Sequence, residues 1–152
     1  MKKLVNGVEV EMSAEEQAAL QAEWTAASSI DARRAAVWEA IKAHRDRLSE
    51  QGGYLVTVGR VSKWFHSDQK SKTQQLGLLI SGANVPPVQW KTMDGSFVTM
   101  SPALAAAVFA AAAAQDIAIF GAVEAHRAAM LAAADPLAYD WRTGWPAVYE
   151  GV

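Results

Sequence analysis

Val88-Gln89-Trp90-Lys91-Thr92-Met93-Asp94-Gly95-Ser96-Phe97-Val98-Thr99-Met100-Ser101-Pro102 decides the fold class. Asp94-Gly95 sits between two β-prone runs, Val88 to Thr92 and Phe97 to Met100, and tolerates the positive φ that a hairpin turn demands. The hairpin then gives way at once to Ser101-Pro102, an N-cap followed by proline at the first helical position, where its missing N–H costs nothing. A hairpin and a helix must therefore abut.

Toward the C-terminus that helix is expected from Pro102 to Ala134. Unbroken, it would reach about 50 Å at 1.5 Å per residue, longer than a compact domain of this size is wide. It is predicted either to bend near Gly121 or to pack against another chain. Its alanines, Ala105 to Ala107 and Ala110 to Ala114, allow another helix to approach closely, within one chain or between two. The last segment, Tyr139 to Val152, carries Trp141, Trp145, Pro146 and Tyr149 and is too aromatic for a free tail.

Toward the N-terminus, Pro86-Pro87 separates the hairpin from a short helix, opened by Ser67 and Asp68, running through Ile80 and ended by Gly82-Ala83-Asn84. Before it, Tyr54 to Val61 and Trp64-Phe65 are β-branched and aromatic, as a strand pair bent at Gly59 would be. Another helix starts at Asp31, with Val37, Ile41, His44 and Leu48 on one stripe, and stops at Gly52-Gly53. Ala26 to Ser29 has the composition of a hinge, so residues 1–28 are expected to form an arm and residues 29–152 the main domain. The arm holds a hairpin turned at Asn6-Gly7 and a helix to about Trp24, opened by a capping box of Ser13 and Glu16. The expected architecture is α+β: a small antiparallel sheet of hairpins packed by the long C-terminal helix and the second helix, with an N-terminal hairpin-helix arm.

The 152 residues suit one main domain, and 51% apolar against 20% charged residues is a folding composition. A net charge of -2 supplies no general field for a polyanion or an anionic membrane. The absence of cysteine excludes disulfides, zinc-thiolate sites and thiol nucleophiles. Asn6 and Glu9 interrupt what a secretory signal would keep apolar, so export by that route is not expected. The apolar run Ala103 to Ala114 meets Gln115-Asp116 too soon for a bilayer span, and no membrane association is expected.

Candidate chemistry is sparse. His66-Ser67-Asp68 is the nearest approach to a catalytic cluster and would centre a hydrolase, but a strand end followed by a helix cap uses the same residues. His44 on an apolar stripe reads as a core histidine, and His126 as a surface one, with no second histidine four residues away for a zinc motif. Arg60, Lys63, Lys70 and Lys72 stand against the single acid Asp68, with Trp64 and Phe65 among them, so segment 60–72 is the one candidate for a small DNA-binding protein. An ordinary lysine-guarded strand edge looks the same. Among six tryptophans, Trp141, Trp145, Trp90 and Trp64 are candidates for a protein interface, although clamping of the C-terminus by Trp141 and Trp145 is favoured. No catalytic residue, metal ligand or cofactor is assigned, and an enzyme is not expected.

Several of these motifs recur together elsewhere. His66-Ser67-Asp68 with Ser71 and Leu76, Trp90-Lys91-Thr92-Met93-Asp94-Gly95 with Phe97 to Met100, and the closing Tyr139-Asp140 and Gly144-Trp145-Pro146 resemble, from about Ala35 to Val152, a domain family of unknown function. That family recurs in tailed-phage and prophage genomes, often beside or within tail-fibre and tail-assembly proteins. Leu4 to Glu16 is similar to the opening of many small phage tail proteins. The resemblance implies a bacteriophage tail or tail-fibre accessory protein acting by protein binding, as virion component or assembly chaperone. Its partner would be a phage structural protein, with self-association through the long helix, and its place the host cytoplasm during assembly or the virion.

Overall fold

In a computed structural model of the chain, residues 1–27, 29–84 and 87–151 are described. Ser28 of the expected hinge, Pro86 of the Pro86-Pro87 separator and the terminal Val152 lie outside the described residues.

The order is β1 (Lys2–Val5), β2 (Val8–Glu11), α1 (Ala14–Ala27), α2 (Ile30–Gln51), β3 (Tyr54–Val58), β4 (Val61–Phe65), α3 (Gln69–Ser81), β5 (Val88–Lys91), β6 (Phe97–Met100) and α4 (Pro102–Ala132). Single 3-10 turns follow α3 and α4, over Gly82–Asn84 and Pro136–Ala138. The fold is mixed α and β, and among the described residues each strand pairs only with its hairpin partner, giving three antiparallel two-stranded ladders rather than one sheet. Two of them are tied together by the Met93 N–H, which donates to the Trp64 carbonyl at 2.9 Å.

Local chemistry explains the ends. Asn6 and Gly7 hold φ of 50° and 80°, the pair of left-handed residues a two-residue hairpin turn requires. Ser13 and Glu16 cap α1 reciprocally: the Ser13 N–H donates to the Glu16 carboxylate at 2.9 Å and the Glu16 N–H to the Ser13 hydroxyl at 3.2 Å. Ser101 accepts the Leu104 N–H and opens α4. Gly59, where the strand pair is expected to bend, sits with Arg60 in the turn between β3 and β4, where Val58 pairs Val61. Asp94-Gly95 lies within a five-residue connection, since Lys91 pairs Phe97. Its turn is closed by the Thr92 N–H donating to the Ser96 carbonyl at 2.8 Å.

α4 organises the core. Its N-terminal half contributes Leu104, Ala105 and Val108 to a cluster with Tyr54, Val56, Phe65, Val98 and Met100. Its C-terminal half contributes Val123 and Met130 to a second cluster with Val37 and Ile41 of α2, covered by Trp38, Tyr139, Trp141 and Trp145. Two cores along one helix let it exceed the width of either, and it continues through Gly121 without interruption.

Taken as a whole, α4 corrects the expectation that no stretch is apolar enough to span a bilayer. By length and composition alone it passes that test, with an 18-residue window of mean hydropathy 1.9. Stopping the count at Gln115-Asp116 missed the apolar run that resumes at Ile117-Ala118-Ile119-Phe120. In this fold the same helix packs on α2, α3 and β3.

Candidate functional site

The His66-Ser67-Asp68 motif joins β4 to α3, and each residue has a different neighbour. Asp68 is the N-cap of α3: one carboxylate oxygen accepts the Ser71 N–H at 2.9 Å, the other the Ser71 hydroxyl at 2.6 Å. These bonds, the hydroxyl's foremost, hold its carboxyl below the usual aspartate range. Ser67 is buried and accepts the Gly53 N–H at 2.9 Å, fastening the α2–β3 corner to the end of β4. The His66 carbonyl accepts from Gln75, whose side-chain oxygen also meets the Tyr54 hydroxyl. His66 and Asp68 are thus drawn apart in use.

His66 lines a groove of about 740 Å³ between α3 and the free edge of β5, together with Ser71, Gln74, Leu78, Trp90 and Lys91. His66 and Trp90, far apart in sequence, meet on this one surface. Among the described residues no group of three His, Asp or Glu side chains converges as a metal site would require.

The basic segment is partly neutralised. Lys63 donates to Asp94 at 2.6 Å and to Ser96 at 2.8 Å, and Lys72 pairs with Asp116 on α4 at 3.1 Å. Arg60 stands at the tip of the β3–β4 hairpin and Lys70 on the first turn of α3. Asp94 in turn is held well below the ordinary carboxylate range, first by Lys63 and then by the hydroxyls of Ser96 and Thr92. Charges read as a run in sequence are spread over three elements, and half are partnered.

The C-terminal aromatics fold inward as a strap. Trp145 lies between His44 of α2 and His126 of α4, at centroid distances of 4.7 Å to each, and its indole N–H donates to the Trp141 carbonyl. Farther along, the Ala147 carbonyl accepts from Gln115 of α4, the Tyr149 N–H donates to the Gly52 carbonyl, and the Tyr149 ring lies 6.3 Å from Trp64. The expectation that His126 is a surface residue is overturned: it is buried, in step with Ile119, Val123 and Met130 on the inner face of α4, and its Nδ1 is 2.8 Å from the Tyr139 hydroxyl. His44, expected in the core, is half-buried at the rim of the same cluster.

What remains uncovered is the other side of α4. Ile117 is 72% exposed and Phe120 65%, and Phe109 shares a groove of about 260 Å³ with Leu76, Ala112 and Ala113, with Lys72 and Asp116 beside it. Sequence reading flagged this helix for its length and its alanines but missed Ile117 and Phe120. Their spacing from Ala106, Ala110 and Ala113, alternately three and four residues, was the available signal.

A family profile described as a domain of unknown function (DUF4376) matches residues 31–143. No curated protein matches the chain, and no solved structure does.

Proposed function

We propose that this chain, which belongs to the DUF4376 family of domains of unknown function, acts by binding protein rather than by transforming a substrate. One observation carries the reading: an apolar side of α4, with Ile117 and Phe120 standing out from it, is left uncovered by the fold. Monomeric proteins seldom leave large contiguous apolar surface in water, and where they do it serves as an interface. In support, the polar residues that looked most like chemistry hold the fold together: Asp68 caps α3 and Ser67 ties a corner.

Within that reading, the resemblance of its motifs to domains found beside phage tail genes favours a role as a tail or tail-fibre accessory component. Its partner is a phage structural protein met in the host cytoplasm during assembly or in the particle. The test is co-expression with the tail and tail-fibre subunits of one tailed phage that carries this domain, followed by size exclusion. Co-elution with one of them, lost in Phe120→Asp, is the expected result. Failure of every subunit to co-elute removes the tail assignment.

A further inference from the structure

The uncovered side of α4 carries a projection and a recess on one surface. The recess is the groove between α3 and α4, floored by Ala112 and Ala113 and walled by Leu76 and Phe109. The projection is Phe120, one helical turn beyond Asp116 and in line with Phe109, Ala113 and Asp116 at helical spacings of three and four. We propose that the occupant of this face is a second copy of the chain, its α4 laid antiparallel on the first so that Phe120 of each copy fills the other's groove.

Three arguments favour a copy of the chain itself, and this orientation. A twofold axis near residue 116 satisfies both projections and both recesses at once, as an isologous interface must. Parallel pairing would set Phe120 against Phe120 and leave both grooves empty. Charge agrees: Lys72 and Asp116, 3.1 Å apart at the mouth of the groove, form a neutral pair. The axis brings the two Asp116 carboxylates toward each other, and each is already neutralised by the Lys72 of its own copy. The alanines at 106, 110 and 113 keep the two helices close, and the Ile117 side chains meet near the axis.

The size of the contact is modest. Overlap from Ala103 to about residue 129 is roughly 40 Å long and about 10 Å wide, so the helices alone remove about 800 Å² from the two copies together. Leu76 and Ile80, both exposed on α3, add a flank. The total lies at the low end for a specific interface, so a dimer that forms in the micromolar range is expected.

This inference rests on the binding reading above, and the experiment separates the two. The full chain is sedimented over a range of concentrations alongside Phe120→Asp. Wild type should pass from monomer to dimer, while the variant stays monomeric with an unchanged circular dichroism spectrum, since Phe120 is mostly in solvent. Because the chain has no cysteine, Ile117→Cys and Ala103→Cys report orientation. The first should cross-link to itself readily; the second, about 40 Å from its symmetry mate, should not. A strict monomer, a dimer that survives Phe120→Asp, ready cross-linking of Ala103→Cys, or uptake by zwitterionic lipid vesicles in place of dimerisation overturns the proposal. A strict monomer that still captures a co-expressed tail subunit through Phe120 sinks the dimer and leaves the binding reading standing.

Discussion

The imidazole of His126 lies on the indole of Trp145, ring centroids 4.7 Å apart and planes 29° from parallel. His44 approaches the same indole from α2. One side chain from the last dozen residues thus bridges the two helices that make the second core. Trp145→Ala removes that bridge. A buried tryptophan truncation costs about 3 to 5 kcal/mol, and Trp145 is only half-buried, so a loss of about 2 kcal/mol is expected in urea unfolding. An unchanged midpoint would mean that the strap is not fastened there.

Both histidines that flank Trp145 are held below their ordinary pKa, foremost by desolvation, and for His44 next by the neighbouring Arg47. The folded state therefore prefers both rings neutral, whereas the unfolded chain takes up protons as pH falls below 6.5, the ordinary value. Above that pH the stabilisation is complete; below it, stability declines as the unfolded state binds more protons than the folded one. The melting temperature should drop between pH 7.5 and pH 5.5, and His44→Gln with His126→Gln should flatten the dependence. A drop of equal size in the double variant assigns the effect to other groups.

The hairpins, caps and helices were legible because each is written in neighbouring residues: Asn6-Gly7, Ser13 with Glu16, Ser101-Pro102. What was not legible depends on distance in the chain. Nothing near His126 says that Tyr139 and Trp145 will return to cover it, so a helical histidine beside Glu124 and Arg127 reads as exposed. In the same way Lys72 reads as part of a basic run until α4 brings Asp116 beside it. The α4 surface was half-read, its small residues seen and its large ones overlooked, because Gln115-Asp116 breaks the apolar run that resumes at Ile117 on the same side of the helix.

Gly53 is the point where the α2–β3 corner meets the β5–β6 turn. Its φ is 68°, and an added Cβ would fall 2.3 Å from the Met93 sulfur and 2.9 Å from the Phe65 carbonyl oxygen. The sulfur belongs to a flexible side chain and can shift; the carbonyl and the left-handed backbone cannot do so freely. Gly53→Ala should destabilise by about 1 to 3 kcal/mol, and pairing it with Met93→Ala should not restore wild-type stability. Full recovery in the double variant would place the whole cost on the methionine.

Asp68 offers the sharpest choice between chemistry and architecture. As the N-cap of α3 it satisfies the Ser71 N–H, so Asp68→Ala should cost about 1 kcal/mol, with Asp68→Asn or Asp68→Ser recovering most of it because either side chain can accept the same bond. Its carboxyl is held below the ordinary value of 3.8, first by the Ser71 hydroxyl, so this contribution is complete above that pH and is lost as pH falls through the lower, folded-state value. His66→Ala, by contrast, trims a side chain at the edge of the 740 Å³ groove and should change stability little. A catalytic pair would behave otherwise: both alanine variants would leave the melting temperature unchanged, and Asp68→Ser would rescue nothing. Chemical denaturation of the four variants at pH 7 decides between the two, and a stability unaffected by Asp68→Ala would remove the cap reading on which this account of the motif stands.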